Sequence, residues 1–193
     1  SSNTPKLDDK CRAHMDMDLL RGLLMLKESI ENGQIHSRLK IEGLSSLPKQ
    51  KYIGITNSSP FASLPAVMQA DFDRLYQLFK RRDWSIEFPA LSIYQSMDHT
   101  NTETSFISAI PITHDCKVSA PFFVDSISLP QCYKVRHTGA YELLMNGWSA
   151  AWSAARREQL DYSYEPLAIE LYHNDHEIEA RSDLLTDILI PLR

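Results

Sequence analysis

The sequence is poor in glycine, with six in 193 residues, and none of them stands in a Walker loop, a GxGxxG turn or a GxSxG elbow. A phosphate cradle needs closely spaced glycines so that backbone N–H groups can approach the anion. Nucleotide binding through such a loop is therefore excluded, as is the serine elbow of the α/β hydrolases. Cysteine is scarce too. Cys11, Cys116 and Cys132 are odd in number, widely spaced and free of any CxxC pair. That usage argues against a disulfide scaffold or a zinc site and points to a reducing cytoplasm. Positive charge is in deficit, with 20 Lys+Arg against 25 Asp+Glu and a formal net charge of -5. The only basic runs, Lys80-Arg81-Arg82 and Arg156-Arg157, fall at the ends of expected helices, where cations complement the helix dipole. No direct nucleic-acid contact is expected, because a phosphate-binding surface needs clustered cations, and no helix-turn-helix is recognisable. Long apolar runs are missing as well. The most apolar, Leu19 to Leu26, is broken by Arg21 and Gly22, so no membrane span is expected. The first residues, Ser-Ser-Asn-Thr-Pro, carry no apolar signal core. Their lack of Met is expected of a piece trimmed from a longer protein.

What is present is an ordinary globular composition, 43% apolar and 23% charged, enough for a real hydrophobic core in one fair-sized domain or two small ones. A polar lead-in precedes a helix expected over Asp16 to Glu31, with Leu19, Leu23, Leu26 and Ile30 at helical spacing. Asp16 or Asp18 can cap its start, and Asn32-Gly33 is a fitting stop. Its other face carries Leu20, Leu24 and Met25, so it wants more than one packing partner.

From residue 38 the pattern occurs twice. Leu47-Pro48 precedes a strand-like run from Lys51 to Thr56, and Leu129-Pro130 precedes another from Tyr133 to His137. A helical stripe follows each: Met68, Phe72, Leu75 and Phe79 in the first half, then Tyr141, Leu144, Trp148, Trp152 and Ala155 in the second. Next come the strands Ala90-Leu91-Ser92-Ile93-Tyr94 and Ala168-Ile169-Glu170-Leu171-Tyr172, offset by 78 residues. Closing strands run from Phe106 to Ile112 and from Thr186 to Leu192. Turns are expected at residues 97–101 and 173–176. The expected fold is α+β: two β-α-β-β repeats, about 38–115 and 118–193, paired about a pseudo-two-fold axis. Residues 1–34 form an N-terminal extension with its helix, and 35–193 the repeat domain.

The halves differ at one telling position. Side chains alternate along a strand, so Leu91 and Ile93, and likewise Ile169 and Leu171, share a face that is expected to pack beneath the helices. The opposite face reads Ala90-Ser92-Tyr94 in one half and Ala168-Glu170-Tyr172 in the other. A glutamate mid-strand is either an ordinary solvated side chain or a carboxylate partly removed from water in a cleft. Desolvation raises such a pKa or demands a positive partner. The group is then a cation receptor or a general acid/base.

His137-Thr138-Gly139-Ala140-Tyr141-Glu142, Trp148 and Trp152, Ala168 to Asp175, and Asp187-Ile188-Leu189-Ile190-Pro191-Leu192 together resemble the GyrI-like family. Its domain also serves as the effector-binding part of AraC-type and MerR-type regulators. The resemblance covers about residues 38–193. It implies a tandem SHS2-type pair of β-α-β-β units with a ligand cleft between them. Its cleft glutamate corresponds to Glu170, ahead of Tyr172 and Asp175; His176 stands where the family often has proline. Residues 15–28 resemble the last helix of a START-like domain, which implies such a domain as a fused or separate partner.

The ligand implied is small and hydrophobic, aromatic or cationic in kind, as in multidrug-binding relatives. Glu170, Tyr172, Trp148, Tyr141, Tyr94 and Phe106 would line the cleft, with Trp84 as a further wall and Trp152 left in the core. Aromatic faces attract cations, and a desolvated carboxylate adds a formal charge. Two alternatives accompany that reading. In a hydrolase that opens cyclopropanoid or other electrophilic xenobiotics, Glu170 would be catalytic and Trp148 or Tyr141 would hold the electrophile. A gyrase-inhibitor-like module would bind a protein instead. No cofactor is expected. His173, Asp175, His176 and Glu177 make no metal site, because the HxxH spacing falls on a turn and lacks a distant third ligand.

Overall fold

The structure, a computed structural model, describes residues 19, 22–31, 33, 35–87, 89–98, 102–174 and 178–193. A first helix, α1, covers 22–31. There follow β1 (Ser37–Pro60), α2 (Leu64–Arg82), β2 (Ala90–Asp98), β3 (Glu103–Pro111), β4 (Phe123–Gly139), α3 (Met145–Arg157), β5 (Ala168–Tyr172) and β6 (Leu185–Pro191). The fold is α+β, and the order β-α-β-β occurs twice. The candidate caps of α1, Asp16 and Asp18, and most of the two expected turns lie outside the described residues.

All strand pairs are antiparallel, and the six strands close into a barrel in the order β1-β3-β2-β5-β6-β4. Closure depends on β1, which is much longer than the Lys51–Thr56 run that the sequence marks. Register shifts at Ile41/Gly43, Ser45/Leu47 and Leu47/Gln50 carry it along β4. Bulges of this kind absorb residues that a regular ladder rejects. Here they take in Gly43, at φ 80, and Pro48, so one strand reaches β3 at one end while following β4 along most of its length.

Barrel closure gives the sheet two dry faces, and this reverses one expectation. Leu91, Ile93, Ile169 and Leu171 do not lie under the helices. They cluster with Tyr52, Ile107, Ala109, Leu129, Cys132 and Leu189, all strand residues, inside the barrel. The helices pack on the other face. α3 lays Leu144, Trp148, Ala151 and Ala154 against Tyr94, Phe106, Tyr133, Val135, Ala168 and Ile188. α2 lays Leu75, Leu78 and Phe79 against Ile53, Ile55, Ile110 and Ile112. The Ser92, Tyr94 and Glu170 side chains are therefore on the helix-covered face. The physical reason is that a closed ring fills its own lumen, so the fully apolar alternation goes inside and the mixed one goes outward under the helices.

Candidate functional site

β2 and β5 meet so that Ser92 stands directly opposite Glu170, flanked by Leu91↔Leu171 and Ile93↔Ile169. Glu170 is only 2% exposed. Its Oε2 accepts hydrogen bonds from the Tyr94 hydroxyl at 2.9 Å and the Tyr172 hydroxyl at 2.5 Å. Its Oε1 accepts from the indole Nε1–H of Trp148 at 2.5 Å. The Tyr172 hydroxyl oxygen also lies 3.1 Å from Ser92 Oγ, whose proton can be donated to it. Each donor reaches the carboxylate for a local reason. Tyr94 is the last residue of β2 to pair with β5, where it faces Ala168. The small side chain of Ala168 leaves room for the Trp148 ring, which meets Tyr94 edge-on at 5.0 Å.

All three donors are neutral, and no Lys, Arg or His among the described residues pairs with Glu170. Burial pushes its carboxyl above the usual range, while the hydrogen bonds from Tyr172, Trp148 and Tyr94 pull it back in part. The Tyr94 and Tyr172 phenols lie well above their ordinary value, first through burial and then through the adjacent carboxylate. The carboxyl is thus held by neutral hydrogen-bond donors alone, with no positive partner among the described residues.

This has a consequence for stability. A carboxyl whose folded pKa is raised holds its proton more tightly in the folded than in the unfolded chain. Its stabilising contribution is complete below the unfolded value of about 4.3 and is lost as pH rises through the folded value. Glu170→Gln removes that descending limb. Denaturant titrations from pH 4 to 8 should show wild type losing stability relative to Glu170→Gln as pH rises, and parallel curves for the two proteins would contradict the assignment.

The other candidate residues are distributed around this centre. Tyr141 touches Tyr172, ring to ring at 5.5 Å, one layer further out. Phe106 is completely buried in the α3 cluster and faces Tyr94 in the β2–β3 register. Trp152 packs on Tyr162. Trp84 belongs elsewhere, against Phe79 and His114. Three neighbours escaped sequence reasoning: Ser92, Phe72, whose ring meets Tyr172 at 5.8 Å, and Met68, whose sulfur is 4.0 Å from the Tyr94 hydroxyl. Phe72 and Met68 lie on the α2 stripe and read as plain core. Their signal was available only through the packing of α2 over β1 and β3, which carries its first turns toward Tyr94 and Tyr172.

The expected cleft is filled by these side chains. Two surface cavities, of about 340 Å³ and 400 Å³, are lined by none of the six candidates. No group of three or more metal-binding side chains occurs among the described residues. His173 Nε2–H donates to the Asp187 carboxylate at 2.8 Å, and Asp175, His176 and Glu177 lie outside the described residues. No described helix is long and apolar enough to cross a membrane.

Several solved structures share the fold. EcmrR in a complex with DNA is 13% identical with a TM-score of 0.65; the match covers 93% of this chain and 66% of that one, just under two thirds. SAV2435 bound to tetraphenylphosphonium is 14% identical with a TM-score of 0.54, over 81% of this chain and 94% of that one. A hydrolase from Listeria innocua is 9% identical with a TM-score of 0.53, over 81% and 92%. Comparison with curated protein sequences yields no match. The model of the GyrI-like small molecule binding domain matches residues 44–193, which takes in both helices that cover Glu170 and every strand of the barrel apart from residues 37–43 of β1, and the chain therefore belongs to that family.

Proposed function

We propose that the chain is a sensor module that binds small aromatic cations, with Glu170 as the countercharge and Trp148, Tyr94, Tyr172, Tyr141 and Phe106 as the surrounding walls. One observation carries this reading: a buried carboxylate receives three hydrogen bonds from neutral donors and no cation. A ligand cation would supply the missing charge, and aromatic edges and faces would contact its rings. The filled site implies that binding displaces the outer layer. Tyr172 and Tyr141 are partly exposed, whereas Tyr94 and Trp148 are buried, so the former pair is the side that opens.

The reading draws on likeness at two points. Tetraphenylphosphonium, the ligand of SAV2435, is a cation of this chemical type. EcmrR is known bound to DNA, which is consistent with a chain like this one forming the ligand-sensing part of a cytoplasmic regulator. The β2–β5 register pairs positions 78 residues apart at its centre, Ser92 with Glu170. We read this as a pseudo-two-fold axis relating two repeats of a domain over 35–193, with the carboxylate beside the axis in one half only. A single charge next to a symmetric aromatic cage suits a roughly isotropic monocation.

Thermal denaturation with tetraphenylphosphonium and with neutral triphenylphosphine oxide tests the proposal. A ligand bound only by the folded state raises the melting temperature. The cation should raise it in a concentration-dependent way, by more than the neutral compound does. Equal shifts, or none, would remove the countercharge role.

A second reading has its own support in the raised carboxyl pKa, which suits a general acid/base. In that case an electrophilic cyclopropanoid ligand would be consumed, and mass spectrometry of the recovered ligand would show addition of water. Recovery of unchanged ligand after prolonged incubation leaves binding alone.

A further inference from the structure

A second polar arrangement lies on the opposite flank of α3 from Glu170's partners, at the junction of α1, β1 and α3. Ser37 opens β1 and stands opposite Gly139 at the end of β4. The two backbones come very close. A Cβ on Gly139 would sit 1.9 Å from the His36 carbonyl oxygen, and Gly139 adopts φ 141, a conformation that side-chain-bearing residues rarely take. This close approach brings the Ser37 Oγ to 3.0 Å from Nε2 of His137. The Asn146 side-chain amide, from the first turn of α3, donates to the same Oγ at 3.0 Å. With one lone pair of Oγ occupied by Asn146, the hydroxyl proton is free to point at Nε2.

His137 is fully buried, and burial pulls its imidazole down to about 4. The ring is therefore neutral at physiological pH and carries one lone pair. Its Nδ1 is buried and meets no hydrogen-bond partner among the described residues. A structural histidine ordinarily satisfies both nitrogens, whereas here the one interaction made is with the serine. Ser37 and Asn146 line the cavity of about 400 Å³ together with Met25 and Leu39. The Ser37 hydroxyl and the Asn146 amide thus open onto a space that Met25 and Leu39 also line, and His137 lies fully buried behind the hydroxyl.

We propose that Ser37 is an acyl-accepting nucleophile, with His137 as its general base and small apolar esters as its substrate class. Ser37 Oγ adds to the ester carbonyl carbon while its proton passes to His137 Nε2. The tetrahedral adduct then collapses, the carbon–oxygen bond to the alcohol breaks, and Nε2 returns the proton to the departing oxygen. The products are acyl-Ser37 and the alcohol. Water repeats the sequence on the acyl-serine, giving the carboxylic acid and free Ser37. Asn146 supplies the neutral donor next to the carbon where negative charge passes to oxygen, and Met25 and Leu39 cover the acyl chain. The geometry is that of a nucleophile and base within hydrogen-bond reach, outside any GxSxG context. It is independent of Glu170 and of the cation reading.

The test uses the whole chain with p-nitrophenyl acetate and p-nitrophenyl butyrate, followed by peptide mapping. One acyl group on Ser37 is expected, with p-nitrophenolate release that falls about a hundredfold in Ser37→Ala, in line with the loss of a nucleophile–base pair. Asn146→Ala should slow release while leaving the folded state intact by circular dichroism, which guards against a buried His137→Gln variant that fails to fold. An acyl group found only on lysines, or undiminished release by Ser37→Ala, would overturn the proposal.

Discussion

Glu170→Gln should bind tetraphenylphosphonium about 10- to 100-fold more weakly than wild type, while its affinity for triphenylphosphine oxide changes by less than about threefold. The factor follows from charge. Two unit charges about 4 Å apart gain about 4 kcal/mol at the effective dielectric typical of protein sites. Part of that is offset by stripping water from the ligand. A surplus of about 1.4–2.8 kcal/mol corresponds to the stated range. Glutamine preserves the shape and keeps an oxygen for the Trp148 indole, so the aromatic walls remain. Titration calorimetry on both proteins with both ligands measures the difference. A loss of equal size for the neutral ligand would mean that the substitution had deformed the cage instead of removing its charge.

Asp187→Asn should lower stability by about 3 kcal/mol, the cost of removing one partner from a buried ion pair, and the melting temperature by about 6–12 °C for a chain of this size. Asp187 is 2% exposed on β6. It accepts the Arg136 guanidinium on both oxygens, at 2.7 and 2.9 Å, and meets His173 Nε2 at 2.8 Å and Lys134 Nζ at 3.6 Å. Burial alone would raise its carboxyl, but Arg136 and His173 outweigh that and hold it far below the usual carboxylate range. The substitution leaves these cations facing one another without a common anion. The pH sign is opposite to that at Glu170. A depressed folded pKa contributes stability that is present above the unfolded value of about 3.9 and is lost as pH falls toward the folded one. Acid unfolding should therefore be shallower in Asp187→Asn. A variant that melts within a degree or two of wild type would show that relaxation of the partly exposed Arg136 and Lys134 replaces the lost pairing.

Glu170 and Asp187 are near neighbours, since Glu170 faces Ile188 and Leu171 faces Asp187 across β5 and β6. They project to opposite sides of the sheet. One carboxylate is surrounded by cations and the other by neutral donors. The second has no cationic partner among the described residues.

Alternation and helical spacing made the strand cores, the two long helices and the order of elements legible in the sequence. The same alternation placed Glu170, Tyr94 and Tyr172 on one face. It could not say which face the helices would cover, because that depends on whether the sheet closes, and closure depends on β1 continuing through Gly43 and Pro48. Those two residues ordinarily mark the end of a strand. Trp148 and Trp152 have the same chemistry and share one stripe, and only the register of α3 over Ala168 selects Trp148 for the carboxylate. His137 and Ser37, 100 residues apart in sequence, carried no signal at all. Their meeting depends on the close approach of Gly139 to His36.

A closed ring has no terminal strand. Residues 37–50 of β1 nevertheless pair with β4 alone among the strands, because β3 joins β1 only from Tyr52 onward, so closure does not by itself bar a second polypeptide from adding to that stretch by edge-to-edge hydrogen bonding. Among the described residues, Leu39, Ile41 and Leu44 of β1 and Leu23, Leu26 and Ile30 of α1 stand exposed.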